Sequence, residues 1–170
     1  MKTIRFEWDE IEKMCMKIVT QMYTDHWYPD YIVGITRGGN IPATIISQLI
    51  SVPCNSLKIS LRCDPIEVET NSWMSEDALG HDRCSKKNIL IIDDINDTGK
   101  TFSWLVNDWE SSCIPTDPGW STTWNHNVRF AALIENESSD FELVRYYSHL
   151  INKSVDPQWI EFPWENILKY

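Results

Sequence analysis

Residues 91–101 read IIDDINDTGKT, and this stretch joins an apolar run to two acids and a polar turn. The strand predicted at residues 88–92 has a continuous apolar run at residues 89–92, which is typical of a central parallel strand that is covered on both faces. Asp93 and Asp94 follow at once, and two carboxylates at the end of a buried strand are costly unless hydroxyl groups or a cation meet them. A helix is predicted from about residue 101 to residue 109. The stretch therefore predicts a strand, a turn and a helix with a charged site between them.

The turn at residues 97–101 has the composition of a phosphate-binding site. Its small residues let backbone N–H groups converge on an anion, and the N-terminus of the following helix adds a favourable dipole. Thr98, Lys100 and Thr101 add two hydroxyl groups and an ammonium. The loop thus has acids that can accept from sugar hydroxyls and donors that can bind a phosphate. A ribose 5-phosphate presents both kinds of group. On spacing alone an ordinary turn with solvated acids is the alternative, whereas a P-loop does not fit because its first glycine is missing.

Other apolar runs and helical spacings surround this stretch. Strands are predicted at residues 31–35, 56–61, 128–134 and 143–150, and helices at residues 41–50 and after Asp9, where Glu12 completes a capping box. Strands that alternate with helices indicate an α/β fold, with a mostly parallel central sheet flanked by helices in one domain of residues 1–170. The ligands of such sheets bind beyond the carboxyl ends of the strands.

Two further segments carry candidate binding residues. Residues 34–42 read GITRGGNIP, in which the glycines permit close backbone approach and Arg37 can fork onto phosphate oxygens. Residues 156–165 read DPQWIEFPWE, and a tryptophan there can form a flat wall for an aromatic base. Taken alone, the first segment can also be a tight turn, and the second an apolar tail that docks on the core.

Two polar segments lack clear periodicity. Residues 62–87 predict a mobile functional loop or a hairpin. Four basic residues on it either reach a bound pyrophosphate or remain solvated surface charges: Arg62, Arg83, Lys86 and Lys87. Residues 111–127 predict a surface insertion, either an exposed loop or a subunit contact.

The bulk composition narrows the function classes. The chain has 170 residues and a formal net charge of -10, with 25 acids against 15 bases. A chain this acidic is a poor general binder of nucleic acid, because phosphate neutralisation needs Lys and Arg, and it is equally unsuited to an anionic membrane surface. The five cysteines are scattered without metal-ligand spacing, which predicts reduced thiols in a cytoplasm. We also expect no signal peptide and no membrane-spanning segment.

The stretch IIDDINDTGKT resembles the motif by which type I phosphoribosyltransferases bind phosphoribosyl pyrophosphate (PRPP), and residues 34–42 resemble the pyrophosphate loop of the same family. The resemblance implies that Asp93 and Asp94 hold the ribose hydroxyls of PRPP. It also implies a set of residues that wrap the 5-phosphate: Asp97, Thr98, Gly99, Lys100 and Thr101. A third set is implied to bind pyrophosphate, largely through backbone amides: Thr36, Arg37, Gly38 and Gly39.

The C-terminal pattern W-I-x-x-P-W-[DE] is similar to the base-binding hood of the small bacterial xanthine–guanine phosphoribosyltransferases. The similarity implies a hood from about residue 143 to residue 170, to which the N-terminus can contribute. In it Trp159 stacks on the base, and Ile160 and Glu165 lie near the base edge. The lysine that reads the O6 atom in the 6-oxopurine enzymes is replaced by Asn136, which can donate or accept a hydrogen bond. The identity of the base therefore stays open.

The activity that the resemblance implies is transfer of the phosphoribosyl group from PRPP to a purine-like base, as in purine salvage. Asp97 would be the general base, and Mg²⁺ would bridge pyrophosphate oxygens and ribose hydroxyls, associated with Asp93 and Asp94 indirectly or through the substrate. Closure of residues 62–87 would exclude water, and a homo-oligomer, a dimer or tetramer, is expected by analogy. Two alternatives are transfer to a pyrimidine or another acceptor, and a non-catalytic PRPP or nucleotide sensor.

Overall fold

The computed structural model describes residues 2–61, 67–68, 71–80 and 85–165. The strands are β1 (Lys2–Arg5), β2 (Tyr31–Thr36), β3 (Cys54–Ser60), β4 (Glu67–Val68), β5 (Ile89–Asn96), β6 (Val128–Asn136), β7 (Val144–Ile151) and β8 (Gln158–Glu161). The α-helices are α1 (Trp8–Thr24), α2 (Asn40–Ile50), α3 (Ser72–Leu79) and α4 (Lys100–Ser112), and short 3-10 helices span Pro118–Thr122 and Pro163–Glu165. The alternation of strands and helices confirms the predicted α/β class.

The central sheet has the strand order β4-β3-β2-β5-β6-β7. The strands from β3 to β7 in this order are parallel, and the short β4 pairs antiparallel at the edge. β5 lies between β2 and β6, and all four residues from Ile89 to Ile92 are fully buried. Such burial is expected of a strand that is covered on both faces. The parallel pairing and this burial together confirm the predicted, mostly parallel sheet.

The sheet has a hydrophobic core on each face, because successive side chains of a strand point to opposite sides. Leu90 and Ile92 pack in the core that contains the apolar residues of α1 and α2. Ile89 and Ile91 pack in the core that contains those of α3 and α4. With both faces covered by helices, the carboxyl ends of the strands are the expected place for a ligand.

The cap of the first helix lies two residues before its predicted position. The capping box is made by Glu7 and Glu10, so the prediction that Asp9 and Glu12 form it is wrong. The reason lies outside the helix: Phe6 N donates to Glu161 O, which holds the chain extended up to residue 6 and starts the helix at Trp8. The predicted apolar face is nevertheless the buried one, and its residues are Ile11, Met14, Cys15, Ile18, Val19 and Met22.

The prediction that residues 62–87 are irregular is wrong in their middle, where α3 forms. Met74 and Ala78 are one helical turn apart and buried against the sheet, and Gly80 ends the helix with φ 76°. α3 is short, so its apolar spacing is a weak signal in a polar stretch. Arg62 and Arg83 lie outside the described residues, and the closure of the segment stays a prediction.

The predicted surface insertion, residues 111–127, is partly a core element. Trp120 is 5% exposed and stacks on Trp124 at a centroid distance of 5.4 Å. Its Nε1 donates to the backbone O of Cys113 at 3.0 Å. Thr123 is fully buried. The segment therefore folds back onto the aromatic core of α4 and β6, because its tryptophans bury more apolar area there than an exposed loop would.

A small second sheet joins the two ends of the chain. β1 pairs in parallel with β8, with Thr3 opposite Trp159 and Arg5 opposite Glu161. The side chains of Arg5 and Glu161 form an ion pair. The N-terminal strand therefore fixes the position of the C-terminal segment that carries Trp159. None of the described helices is long and apolar enough to cross a membrane.

Candidate active site

The two glycine-rich motifs meet at the carboxyl ends of the neighbouring strands β2 and β5. A Cβ atom built on Gly38 would lie 1.8 Å from Oδ2 of Asp94. A Cβ atom built on Gly39 would lie 2.5 Å from the backbone O of Ile92. Any side chain at these two positions would displace the end of β5. The loop after β2 therefore lies directly against the two acids, and the Thr36–Arg37 peptide within it is cis.

Asp93 and Asp94 are half-buried at the end of β5. The backbone N of Asp94 donates to Oδ1 of Asp93 at 2.9 Å, which orders the pair. Burial raises the pKa of Asp94, and the carboxylate of Glu165 raises it further. That second effect places the C-terminal hood close to the acids. A partner with hydroxyl groups or positive charge would stabilise such a pair.

The turn at residues 97–101 depends on Gly99, whose φ is +81° and whose Cβ would lie 2.5 Å from the backbone N of Phe141. α4 starts at Lys100, so the N–H groups of its first turn have no acceptor within the helix. Thr98 and Lys100 are exposed, Thr101 is half-buried, and none of these three side chains bonds to another described residue. The predicted 5-phosphate donors are thus together and available.

In the predicted pyrophosphate loop, the side chain of Arg37 is exposed and bonds to no other described residue, whereas the hydroxyl of Thr36 donates to Leu57 O at a long 3.5 Å. Two of the basic residues predicted as possible contacts lie elsewhere. Nζ of Lys86 donates to Gly119 O and to Thr123 Oγ1, each at 3.1 Å, and so anchors the insertion.

Lys87 likewise pairs with a residue away from the strand ends. Its Nζ lies 3.5 Å from Oδ2 of Asp77 in α3. With Lys86 and Lys87 engaged in this way, Arg37 and the glycine amides remain the described candidates for binding pyrophosphate.

Asn136, predicted to lie at the base edge, is bonded to several residues of the fold. It is 3% exposed, and its Nδ2 donates to the backbone O of Asp97 at 2.8 Å and, at 3.4 Å, to Oδ1 of the same residue. Its Oδ1 accepts from Ser138 Oγ and from the backbone N of Lys153. Most of the hydrogen-bonding capacity of this side chain is thus used inside the fold, and its role at the base edge stays a prediction.

Lys153 is a site residue that the sequence did not reveal. Its Nζ lies 2.9 Å from Oδ1 of Asp97, and the side chains of Lys153 and Asp97 are 21% and 28% exposed. Lys153 sits in the connection between β7 and β8, in a polar stretch with no motif. Only its place a few residues before the tryptophan of the hood could have drawn attention to it.

The tryptophan predicted to stack on the base has a solvent-accessible side chain. Trp159 is 51% exposed on β8, whereas Ile160, the next residue, is 7% exposed and packs in the core with Phe162. Because neighbouring side chains of a strand point to opposite faces, the side chains of Trp159 and Ile160 lie on opposite sides of β8, and the place of Ile160 near the base edge stays a prediction. The exposed Glu165 remains close to the acids, with Oε2 accepting from Phe162 N at 2.9 Å.

A buried network supports the phosphate turn from below. Asn96 is 2% exposed, and its Nδ2 donates to Oε1 of Glu135 at 3.0 Å and to the backbone O of Phe141 at 3.1 Å. Its Oδ1 accepts from Ser139 Oγ at 3.1 Å. Burial raises the pKa of Glu135 to about 7, although the hydrogen bond from Asn96 lowers it in part. The network fixes Ser139 and Phe141, the residues against which Gly99 packs.

Comparison with known proteins agrees with this arrangement. The chain matches the phosphoribosyl transferase domain family over residues 6–169. It is 24% identical to hypoxanthine-guanine phosphoribosyltransferase of Schizosaccharomyces pombe, over 94% of this chain and 87% of that protein. It is 22% identical to xanthine phosphoribosyltransferase 1 of Saccharomyces cerevisiae, over 93% of this chain and 87% of that protein.

A solved structure shares the fold. The crystal structure of a purine phosphoribosyltransferase from Pyrococcus horikoshii superposes with a TM-score of 0.67 at 19% identity, covering 96% of this chain and 94% of that one. The family match extends over almost all of the chain and includes both glycine-dependent loops and the acids between them. The chain therefore belongs to the phosphoribosyl transferase domain family and is a phosphoribosyltransferase.

Proposed function

We propose that this protein transfers the 5-phosphoribosyl group of PRPP to a ring nitrogen of a purine-like base and releases pyrophosphate. The observation that carries the proposal is the contact of Gly38 with the carboxylate of Asp94, since it joins a pyrophosphate loop to a pair of ribose-binding acids. The names of the two yeast relatives, a hypoxanthine-guanine and a xanthine phosphoribosyltransferase, support a purine as the acceptor.

PRPP fits the order of the polar groups along the strand ends. The 5-phosphate would lie on the turn at residues 97–101, where the first N–H groups of α4 and the ammonium of Lys100 attract an anion. The ribose hydroxyls would donate to Asp93 and Asp94. The pyrophosphate would then reach the backbone amides of residues 36–39 and the guanidinium of Arg37. Each part of PRPP thus meets groups of the complementary polarity.

Mg²⁺ suits the donor set of this site. The described residues contain no cluster of three or more His, Cys, Asp or Glu side chains that could hold a metal alone, so substrate oxygens must complete the coordination. Asp93 and Asp94 would hold the ion indirectly or with the substrate, as is usual for Mg²⁺ at phosphates. When bound, Mg²⁺ neutralises charge on the pyrophosphate group.

In the reaction, the bond between the anomeric carbon and the pyrophosphate oxygen breaks, and a bond from the base nitrogen to that carbon forms. Arg37 and the amides of Gly38 and Gly39 stabilise the charge on the leaving pyrophosphate. Asp97 accepts the proton that the base nitrogen loses, because it lies where the phosphate turn begins, next to the base side of the site. Trp159 orients the ring by stacking on it.

Two other functions are consistent with the same loops. A pyrimidine or another acceptor could stack on Trp159 equally well, and a non-catalytic sensor would need only the PRPP-binding groups. Asp97 favours catalysis, since a sensor has no use for a carboxylate beside the base nitrogen.

A homo-oligomer, either a dimer or a tetramer, in a cytoplasm is part of the same proposal. Met16, Tyr23 and Leu49 are each more than 40% exposed on α1 and α2, which gives a second copy apolar surface to cover. Cys15 and Cys54 carry free thiols, in keeping with a reducing compartment. Sedimentation velocity at several concentrations would test the oligomer, and a monomer throughout would contradict it.

The decisive experiment is pyrophosphate release from PRPP and Mg²⁺ with single bases: guanine, hypoxanthine, xanthine, adenine and uracil. Release with one or more of the purines and not with uracil is the expected result. Release with uracil alone would favour the pyrimidine alternative. No release with any base, while PRPP still binds, would favour the sensor and overturn the proposal.

A further inference from the structure

The turn proposed to bind the 5-phosphate is held from outside. The side chains of residues 98–101 bond to no other described residue. The turn instead lies against residues 139–141, in the connection between β6 and β7, where the backbone N of Asp140 donates to Thr98 O at 3.3 Å. The position of the phosphate donors thus depends on a segment from another part of the chain.

Gly99 approaches that segment closely. A Cβ atom built on Gly99 would lie 2.8 Å from Oγ of Ser139 and 2.7 Å from Cβ of Phe141. Phe141 is buried, and its ring packs on Phe102 in the first turn of α4 with a centroid distance of 5.3 Å. Since there is no free space between these groups, any shift of residues 139–141 would move the turn and the start of α4 together.

One buried side chain ties this segment to the end of β5. The Nδ2 of Asn96 donates to Phe141 O and its Oδ1 accepts from Ser139 Oγ, each at 3.1 Å. The same Nδ2 lies 3.0 Å and 3.2 Å from the two carboxylate oxygens of Glu135 on β6. A single amide thus joins two strands to the segment on which Gly99 packs.

The core alone does not require an amide at this position. Burying a polar group costs free energy unless its hydrogen bonds are made, and an apolar replacement of such a group and its partner can be nearly neutral for stability. A buried network in which each member is bonded does, however, fix one arrangement. Asn96 stands between Asp94 and Asp97 in the chain, so the arrangement that it fixes is that of the site.

We propose that Asn96 is a positioning residue for the 5-phosphate turn, which it places through Ser139 and Phe141. The inference rests on the proposed function, in which this turn binds the 5-phosphate of PRPP. Asn96 is itself too buried to touch a substrate. Its effect is confined to the 5-phosphate, because the glycines of the pyrophosphate loop pack against Asp94 and the backbone of residues 92–93 instead.

The test uses two ligands that probe the two loops separately, ribose 5-phosphate for the turn and magnesium pyrophosphate for residues 36–39. In Asn96→Ala the dissociation constant of ribose 5-phosphate should rise roughly 10- to 100-fold, because a small displacement of a substrate-positioning group has an effect of this size. The dissociation constant of pyrophosphate should not change. Calorimetry with each ligand alone measures both constants without any turnover.

Asn127→Ala is the matched control. The Nδ2 of Asn127 donates to Ala78 O and to Lys87 O, each at 2.9 Å, ahead of β6 and away from the strand ends that form the site. This variant loses comparable bonds and should bind both ligands normally. If Asn96→Ala fails to fold, Ser139→Ala takes its place, since it removes only the hydroxyl that donates to Asn96. It should weaken ribose 5-phosphate alone, by a smaller factor.

The outcomes separate this inference from the proposed function. No binding of ribose 5-phosphate by the unaltered protein would overturn the proposed function of the turn, and the inference with it. Unchanged binding of ribose 5-phosphate by Asn96→Ala would overturn only the role of Asn96. Equal losses for both ligands would also overturn that role, because a merely structural side chain would weaken the whole site.

Discussion

The phosphate side and the base side of the site are built in different ways. The phosphate side, residues 36–39 and 97–101, consists of two short loops whose function resides mainly in backbone amides and glycines. The base side consists of single side chains from distant segments: Asn136, Lys153 and Trp159. A backbone site needs a local pattern of residue types, which a sequence displays, whereas a side-chain site depends on how the whole chain folds.

The largest effect is expected at Asp97, where the two sides meet. Asp97→Asn keeps an oxygen for Lys153 and the backbone contact with Asn136, but it removes the basic oxygen. We expect kcat to fall by roughly 10²- to 10⁴-fold with unchanged PRPP binding. Turnover by pyrophosphate release and binding by calorimetry would measure both.

The matched control for that variant is Asp9→Asn, which also weakens an ion pair with a lysine, but on the surface of α1. It should turn over normally. Turnover of Asp97→Asn equal to that of the unaltered protein would remove Asp97 from the reaction and would favour the sensor.

The next largest effect is expected on the phosphate side. In Gly38→Ala the added methyl group meets Oδ2 of Asp94 at 1.8 Å, so the loop or the acid must move. A displacement on the order of 1 Å in a substrate-positioning group costs about 100-fold in activity, and we expect the loss in both KM for PRPP and kcat. Gly119→Ala meets its nearest atom at 2.9 Å outside the site and is the control. Normal PRPP kinetics in Gly38→Ala would mean that the two loops do not share a substrate.

The sequence predicted two glycine-dependent turns at the strand ends, and the structure forms both, whereas the ligands assigned to them stay a prediction. Gly99 must adopt a positive φ next to Phe141, and Gly38 must leave room for Asp94, so residue type and function coincide. The alternating elements also predicted the parallel sheet. The capping box of α1 could not be predicted, because the helix start depends on a bond between Phe6 and the distant Glu161.

On the base side, Lys153 and the contacts of Asn136 escaped prediction for the same physical reason. Asn136 was assigned to the base edge from its place at the end of β6. Its amide forms hydrogen bonds with Asp97 and with the backbone N of Lys153. Lys153 itself stands in a stretch without a motif. Contacts between residues this far apart in sequence follow from the packing of β6, β7 and β8 together, which no local pattern records.

A smaller effect is expected for the stacking residue of the base side. Trp159→Ala should raise KM for the base roughly tenfold, because stacking of a base on an aromatic ring contributes about 1–3 kcal/mol. KM for PRPP should not change, and that difference distinguishes the two sides of the site by kinetics alone. Tyr28→Ala removes an equally exposed aromatic ring ahead of β2, 53% exposed against 51%, and is the control. A rise in both KM values would mean that Trp159 supports the fold of the hood instead.

The smallest effect concerns Glu135, which lies between the two sides and receives the hydrogen bond of Asn96. Burial raises its folded-state pKa to about 7 from an ordinary value of 4.5, so the native state binds the proton more tightly than the unfolded state does. The free energy of unfolding therefore falls as the pH rises from 4.5, the ordinary pKa, to about 7, the folded-state pKa. Above the folded-state pKa it stays reduced. Glu135→Gln cannot titrate and should gain about 1–2 kcal/mol over the unaltered protein between roughly pH 5 and pH 8, after allowance for partial exposure.

Urea unfolding at both pH values measures this gain, with the exposed Glu142→Gln as the control. A stability difference that does not change with pH would mean that Glu135 is ionised in the native state throughout. The predicted gain would instead mean that the support of the phosphate turn contains a carboxyl group that is uncharged below neutral pH. The junction between the two sides would then weaken as that group ionises, although neither substrate touches it.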